Sequence, residues 1–366
     1  MNITLEKKEF IDGVNVVSRF AERKSATLPV LGSVTIEAKG KEIRFRATNL
    51  ETSINLLVEG VVKDAGTLSL PATILREITA SLSGTGTLTI ESTDDTAKIV
   101  SGSLKSTLKT LPHEDFPTLE GSDNPKSTFS LPGALLKSLV QSVGSCASPS
   151  TVRPELASVF LSAEGGVVKA VATDSFRLAE KKVSVTGTVK PFSMLIPAKN
   201  ALDIAGTLPD DEIEVAADEH QCSFKWGKGS ITTRLVAAQY PDYAQIIPKT
   251  SVAEAQVLKK DFEASLRRTA VFADAFQKVR LGIDPSKKQI TLAARNNDVG
   301  ESNETVPAAA SGEGIELSFN YRYLQAPVSL IGAESLTLSA AGIGRAVTVR
   351  GAGDASFLYL VMPMNQ

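Results

Sequence analysis

Cysteine is nearly absent from this chain of 366 residues: Cys146 and Cys222 are the only two, they lie far apart, and no CxxC pair occurs. This excludes a disulfide framework and a thiolate zinc site, and leaves two buried, inert thiols as the expectation. Histidine is equally scarce, with only His113 and His220. Neither stands in a metal-ligand spacing or beside a recognisable carboxylate cluster, so both are expected in surface loops and no cofactor is called for. A run of about 18 apolar residues and a signal-peptide pattern are both missing, which predicts a soluble, cytoplasmic protein with no membrane partner. There is no excess of positive charge either: 39 Lys and Arg stand against 41 Asp and Glu, for a net −2. With 42% hydrophobic and 22% charged residues, the chain can bury sizeable cores spread over two or three domains.

Two apparent motifs fail on spacing. GKGS at 227–230 lacks the GxxxxGK[ST] arrangement that lets backbone amides wrap a phosphate, and reads as a hairpin turn between CSFKW and SITTRLV. Ser106 to Lys109 spells S-x-x-K and Ser122-Asp123-Asn124 spells SDN, as in serine β-lactamases. That chemistry needs the serine at a helix start, whereas SLKSTLKTL alternates like a strand, and no KTG follows.

What the chain does contain is a threefold internal repeat. Helical patterns start at Leu5, Leu131 and Leu258, at offsets of 126 and 127. A strand running into a turn reads IRFRATNLE, VKAVATDSF and ITLAARNND, aligning Asn49, Asp174 and Asn296. A strand-to-helix junction reads LSLPATILREI, MLIPAKNALDI and LSFNYRYLQAP, aligning Pro71, Pro197 and Asn320, and each repeat closes near a proline, Pro117, Pro241 or Pro363. In the first repeat Phe10, Ile11, Val14, Val17 and Ala21 form one helical stripe, and Ile74, Leu75, Ile78 and Leu82 a second. GTLTIES, AKIVSG and STLKTL alternate as half-buried strands do. Each repeat is therefore expected to carry two helices and two small antiparallel sheets, an α+β architecture. Pro- and acid-rich stretches at PHEDFPTLEGSDNPKS and PDYAQIIPKTSVAEAQ place the domains at 1–121, 127–250 and 251–366.

Charge is distributed unevenly over these repeats. Lys8, Asp12, Asn15, Arg19 and Arg23 fall on the face of the first helical pattern opposite its apolar stripe, and the first helix of the third repeat adds Lys259, Lys260, Arg267 and Arg268. Residues 7–24 carry five basic and three acidic side chains, and residues 259–280 six and three. The remainder of the chain is correspondingly acidic. Basic helix faces recurring at equivalent places point to nucleic acid, although the middle repeat offers only Lys137 there.

TLPVLG near residue 30, TLPHEDFP at 110–117, ATDSFRLA at 172–179, YPDYAQIIP at 240–248 and the terminal YLVMPMNQ together resemble the bacterial DNA sliding clamp family, the beta subunit of the replicative DNA polymerase III. The resemblance covers the whole chain. It implies a head-to-tail homodimer of three-domain subunits, a ring with twelve helices around its hole and sheets outside. Twelve helices about 9 Å apart give a circumference near 110 Å, and an opening on the order of 25 Å once a helix diameter is subtracted. Such a ring encloses double-stranded DNA without sequence specificity, and a modest basic lining suffices because topology prevents escape. It implies a processivity factor and not an enzyme.

The resemblance also implies sites. The DNA-facing candidates are Arg19, Arg23, Lys24, Arg76, Lys137, Lys199, Lys259, Lys260, Arg267, Arg268 and Arg322. A pocket for short linear peptides of the replicative DNA polymerase, the clamp loader and repair proteins would be walled by Leu156, Thr173, Ser175, Phe176, Arg177, Leu178, Pro241, Ile246, Ala346, Leu360, Val361, Met362, Pro363 and Met364. Met and Leu make an adaptable apolar surface suited to several related peptides. At the dimer interface Leu108 would meet Val271 and Phe272 of the other subunit. Phe176 replaces a polar-tipped residue common in the family, Gln245 a basic one, Gly344 leaves one wall bare, and the chain ends in Asn365-Gln366, so peptide preference is expected to differ. Ser106 stands where a large apolar residue can occur, which predicts a weaker dimer. A repeat scaffold that binds proteins without encircling DNA is the alternative of a different class.

Overall fold

The computed structural model describes the chain apart from residues 23–27, 115, 118, 120, 123, 186–188 and 365–366. Among the described residues there are six α-helices: α1 Lys7–Val17, α2 Ala72–Ser81, α3 Gly133–Val143, α4 Ala198–Ala205, α5 Lys259–Ala270 and α6 Tyr321–Leu330. The sheets are antiparallel, so the class is α+β. The fold separates into two compact units, one formed by 1–137 with 189–237 and the other by 138–188 with 238–366.

In the first unit an eight-stranded sheet includes Ser33–Lys39, Glu42–Thr48, Thr52–Val58 and Gly229–Arg234. Along Glu42–Thr48 the residues Ile43, Phe45 and Ala47 are buried and alternate with the charged Glu42, Arg44 and Arg46, as one solvated and one packed face require. Phe10 of α1 meets Phe45 edge to face with ring centroids 6.2 Å apart. The helix can lie this close because position 13 has no side chain: a Cβ there would stand 3.1 Å from Phe45 and Val58. A second, five-stranded sheet ends on one side with Leu104–Lys109. GKGS forms the expected hairpin, with Trp226 opposite Gly229.

In the second unit one sheet runs through Ser158–Glu164, Val167–Thr173, Arg177–Ser184, Phe357–Val361, Val347–Gly351, Ser335–Ala340 and Ala253–Leu258. A four-stranded sheet has Gly300–Pro307 at one edge and Ile315–Asn320 at the other. Phe357–Val361 is buried at every residue, consistent with its place inside the sheet between Arg177–Ser184 and Val347–Gly351.

Two details differ from the sequence-based expectation. The first helix stops at Val17, so Ala21 and Arg19 lie beyond it. Val16, Val17 and Ser18 are poor helix formers, and Phe20 turns into the core at 2% exposure. On α2 only Leu75 of the expected stripe is buried; Ile74 is 39% exposed. Thr79 takes an inward position instead, its hydroxyl donating to the Arg76 carbonyl at 2.9 Å. Pro71 and Pro197 immediately precede α2 and α4. Asn320 fills the same position before α6 and accepts from the Arg322 N–H at 3.0 Å, so a side-chain cap replaces a fixed φ.

Candidate functional site

The second unit builds its most distinctive surface around residues 173–177, where Val167–Thr173 turns into Arg177–Ser184. The turn is closed by side chains. Thr173 Oγ1 donates to the Arg177 carbonyl at 2.7 Å and accepts from the Ser175 N–H at 3.1 Å. Asp174 Oδ1 accepts from the backbone N–H of Phe176 and of Arg177, both at 3.0 Å. These bonds hold Ser175 at φ +78°, a left-handed conformation that a side chain rarely adopts, and leave Phe176 60% exposed at the tip.

Arg177 then ties the turn to its surroundings. Its Nε donates to Asp174 Oδ2 at 3.0 Å, its Nη2 donates to the Ser145 carbonyl at 2.8 Å, and the guanidinium lies 4.9 Å from the centre of the Tyr323 ring. Phe176 also stacks with Tyr323, at 6.4 Å between centroids. The chain end joins the same place: the Met362 N–H donates to the Phe176 carbonyl at 2.8 Å, and the Met364 N–H to the Ser318 carbonyl at 2.7 Å. Leu156, Thr173, Leu178, Ala346, Leu360 and Val361 are buried, whereas Ser175 and Pro241 are exposed, Met362, Pro363 and Met364 half-buried, and Ile246 50% exposed. Around the turn itself, the partly exposed Phe176 and Met362 thus lie over the buried Thr173, Leu178, Leu360 and Val361, with one guanidinium already engaged.

Below the turn Cys146 is fully buried, and burial pushes its thiol up to about 11, partly offset by the nearby Arg177 charge. The Tyr240 hydroxyl lies within electrostatic reach of Cys146 and is buried without a hydrogen-bond partner among the described residues. Tyr240 stacks on Phe160 at 4.8 Å, and Tyr243 meets it edge on at 6.2 Å. The Tyr243 hydroxyl donates to Glu180 Oε2 at 2.7 Å; burial first, and this carboxylate second, raise its pKa.

The first unit repeats the turn at residues 48–52. Thr48 Oγ1 donates to the Thr52 carbonyl at 3.0 Å and accepts from Leu50 N–H at 3.1 Å, while Asn49 Oδ1 accepts from the N–H of Glu51 and Thr52. Leu50 sits at φ +72°. Here Arg234 stands where Met362 stands in the other unit: its N–H donates to the Glu51 carbonyl at 2.8 Å, and its Nε to the Leu50 carbonyl at 3.0 Å. A cleft of about 810 Å³ beside this turn is lined by Asn15, Ser18, Arg19, Ala21, Glu22, Asn49, Arg76, Lys199 and Asp203.

Three basic candidates, Arg19, Arg76 and Lys199, thus share one cleft. Arg19 donates to the Gly206 carbonyl at 2.9 Å, and Lys199 pairs with Asp203 at 3.1 Å. Lys137 is held by Asp210 at 2.6 Å, Lys259 by the Ile331 carbonyl at 2.7 Å, Arg267 by Glu263 at 2.8 Å and Arg268 by Glu304 at 2.7 Å. Arg76, Lys260 and Arg322 are exposed and make no ion pair among the described residues. Arg23 and Lys24 lie outside the described residues. Leu108 is half-buried on the edge strand Leu104–Lys109; Val271 is 72% exposed, and Phe272 packs 3.7 Å from where a Cβ on Gly300 would stand.

Tyr323, Asp174 and Ser145 belong to the turn's surroundings and were not among the residues expected from sequence. The TDSFR string carried a signal for Asp174, since an Asx side chain between two strand patterns tends to accept backbone N–H groups two residues on and close a turn. Nothing local marks Tyr323, which reaches the turn from α6.

Three family models cover most of the chain: DNA polymerase III beta subunit, N-terminal domain, over residues 1–120, central domain over 130–242, and C-terminal domain over 244–365. The chain is 28% identical to the beta sliding clamp of Pseudomonas aeruginosa over 100% of both proteins, and 27% identical to that of Synechococcus elongatus over 100% of this chain and 99% of the relative. Among solved structures it is similar to the DnaN sliding clamp of Pseudomonas aeruginosa bound to griselimycin, with a TM-score of 0.93, 26% identity and full coverage of both chains. The Thermotoga maritima beta subunit, at 23% identity and a TM-score of 0.93 over 100% of this chain and 99% of the other, shows the same fold.

Proposed function

We propose, starting from the fact that this chain belongs to the DNA polymerase III beta subunit family, that two copies close head to tail into a ring around duplex DNA and hold the replicative polymerase through the 173–177 pocket. As a member of that family the chain is a sliding clamp, a processivity factor and not an enzyme. Its three domains take 1–121, 127–250 and 251–366.

The observation that carries ring closure is a pair of sheet edges with opposite charge. Leu104–Lys109 is an outermost strand bearing Lys105 and Lys109 and no acid. Gly300–Pro307 is an outermost strand bearing Glu301 and Glu304 and no base. An unpaired edge is a template for another strand, and opposite charges facing across a strand pair favour the match. Leu108 on the first edge, with Val271 and Phe272 beside the second, supplies the apolar part of that contact. A polar Ser106 next to Leu108 keeps this part small, so charge carries more of the closure.

Inside such a ring the duplex meets Arg19, Arg76, Lys137, Lys199, Lys259, Lys260, Arg267, Arg268 and Arg322, with Arg23 and Lys24 as further candidates. Most of these are tied to carboxylates or carbonyls on their own surface. Cations engaged in this way attract phosphates weakly and without sequence preference, which suits sliding. Short peptides from the polymerase, the clamp loader and repair proteins dock by apolar anchors on Phe176, Ile246, Met362 and Met364.

Sedimentation equilibrium from micromolar to nanomolar protein tests the ring. The expected species is a dimer of about 77 kDa, twice the 38.7 kDa chain, which is retained on circular DNA after loading and released when the circle is cut. A monomer throughout, or retention indifferent to linearisation, would overturn the reading.

A further inference from the structure

We infer that the hydrogen bond from Tyr243 to the buried carboxylate of Glu180 is the positioning element of the peptide pocket, fixing the wall that carries Pro241 and Ile246. The inference rests on the peptide-binding reading of the 173–177 site.

Glu180 is 5% exposed, a burial that a carboxylate tolerates only when partnered. Among the described residues it has two partners: Lys182 Nζ at 2.7 Å, from the same strand, and Tyr243 Oη at 2.7 Å, from the short helical turn Tyr243–Ile246. Lys182 lies on the strand with Glu180 and positions nothing else. Tyr243 lies 63 residues away in sequence, and it opens the turn that ends on Ile246. Pro241, Ala244, Gln245 and Ile246 are all exposed, so little packing holds this stretch; the Gln245 amide donates to Asp242, just before the turn. A hydrogen bond to a charged acceptor is the strongest kind of anchor available to such a segment.

Tyr240 supplies an internal control. It sits at the head of the same segment, it is buried, and its ring stacks on Phe160. Yet its hydroxyl has no partner among the described residues. Removing that hydroxyl deletes the same atom from the same segment without removing a hydrogen bond. Tyr243 and Glu180 act through the wall and are positioning residues; neither needs to touch the peptide.

The test is the affinity of the full-length protein for a short fluorescein-labelled peptide anchored by leucine and phenylalanine, read by anisotropy. Tyr243→Phe is expected to weaken binding roughly tenfold or more, up to the roughly hundredfold that one hydrogen bond to a charged group can be worth. Glu180→Ala should match it, Glu180→Gln should restore binding to within about twofold because an amide oxygen still accepts from Tyr243, and the Tyr243→Phe, Glu180→Ala pair should be no worse than either alone. Tyr240→Phe should bind as the parent does. If Tyr243→Phe does not fold, Glu180→Asp, which keeps the charge and retracts the carboxylate by one methylene, should show the same loss. Parent-like affinity in Tyr243→Phe, or an equal loss in Tyr240→Phe, overturns the inference. Parent-like affinity in Met362→Ala would instead overturn the peptide-binding reading itself, so the two failures are distinct.

Discussion

The turns at 48–52 and 173–177 have the same backbone and opposite surfaces. In both, a threonine hydroxyl bridges the first and fifth residues, an Asx oxygen collects two N–H groups, and the third residue sits at positive φ. In both, the carbonyl of the fourth residue accepts an N–H from the end of the neighbouring strand, Arg234 in one case and Met362 in the other. The side chains at those matching places are Glu51 and Arg234 in the first unit, and Phe176 and Met362 in the second. The first turn accordingly adjoins a cleft containing Arg19, Arg76, Lys199, Glu22 and Asp203, and the second an apolar rim. The repeat supplies the frame, and two side chains on that frame decide which chemistry it presents.

The sharpest way to break this comparison is to exchange the deciding residue. Met362→Arg gives the second turn the side chain of the first, and the added guanidinium beside Phe176 finds the turn's one carboxylate, Asp174, already taken by Arg177. Peptide affinity should fall by on the order of 100-fold or more, because docking would bury an unpaired charge, while sedimentation still shows the dimer. Retained affinity would mean that position 362 is not part of the wall. The reciprocal Arg234→Met should create no peptide site, since Glu51 remains.

A smaller effect separates frame from surface. Thr48→Ala and Thr173→Ala each remove the same two hydrogen bonds from a buried hydroxyl. Each should lower the unfolding free energy by about 1 to 2 kcal/mol in urea titration. Only Thr173→Ala should also weaken peptide binding, as Phe176 and Arg177 lose their fixed positions. Equal loss of affinity in both variants would show that the two turns are not functionally distinct.

The frame was legible in the sequence because it depends on local pattern. Landmarks recurring near every 125 residues fall within two residues of all six helix starts, and Asn49 and Asp174, aligned by the repeat, both collect backbone N–H groups. The surface was only partly legible. Arg19 reads as helical by periodicity, but Val16, Val17 and Ser18 end α1 first, and the guanidinium turns to Gly206. Glu180 in AEKKVS looks like a solvated charge on an alternating strand; only the distant Tyr243 explains its burial. Tyr323 carries no local cue because its role consists in the ring face it offers to Arg177, 146 residues earlier in the sequence. Contacts between residues far apart in sequence, whether within a repeat or across two, leave no periodic trace.

The smallest effect concerns the residue beneath each turn. Phe20 in the first repeat and Cys146 in the second are equivalent at an offset of 126, and both are buried, but only the thiol can ionise. Burial raises it from 9.0 to about 11. A thiol that is harder to deprotonate when folded contributes its stability in full below its unfolded value, and loses that contribution as pH rises between the two values. Cys146→Ala removes this titration. At neutral pH the variant should be less stable by about 1 kcal/mol, the cost of the small cavity. As the pH approaches 11, the parent should lose roughly 2 kcal/mol that the variant keeps, so their order of stability reverses. Cys222, also raised by burial, is present in both proteins and cancels from the difference. Denaturant titrations of the two proteins across this range measure the crossing; parallel curves would mean that Cys146 ionises as freely in the fold as in the unfolded chain, and that the floor under the second turn is open to water.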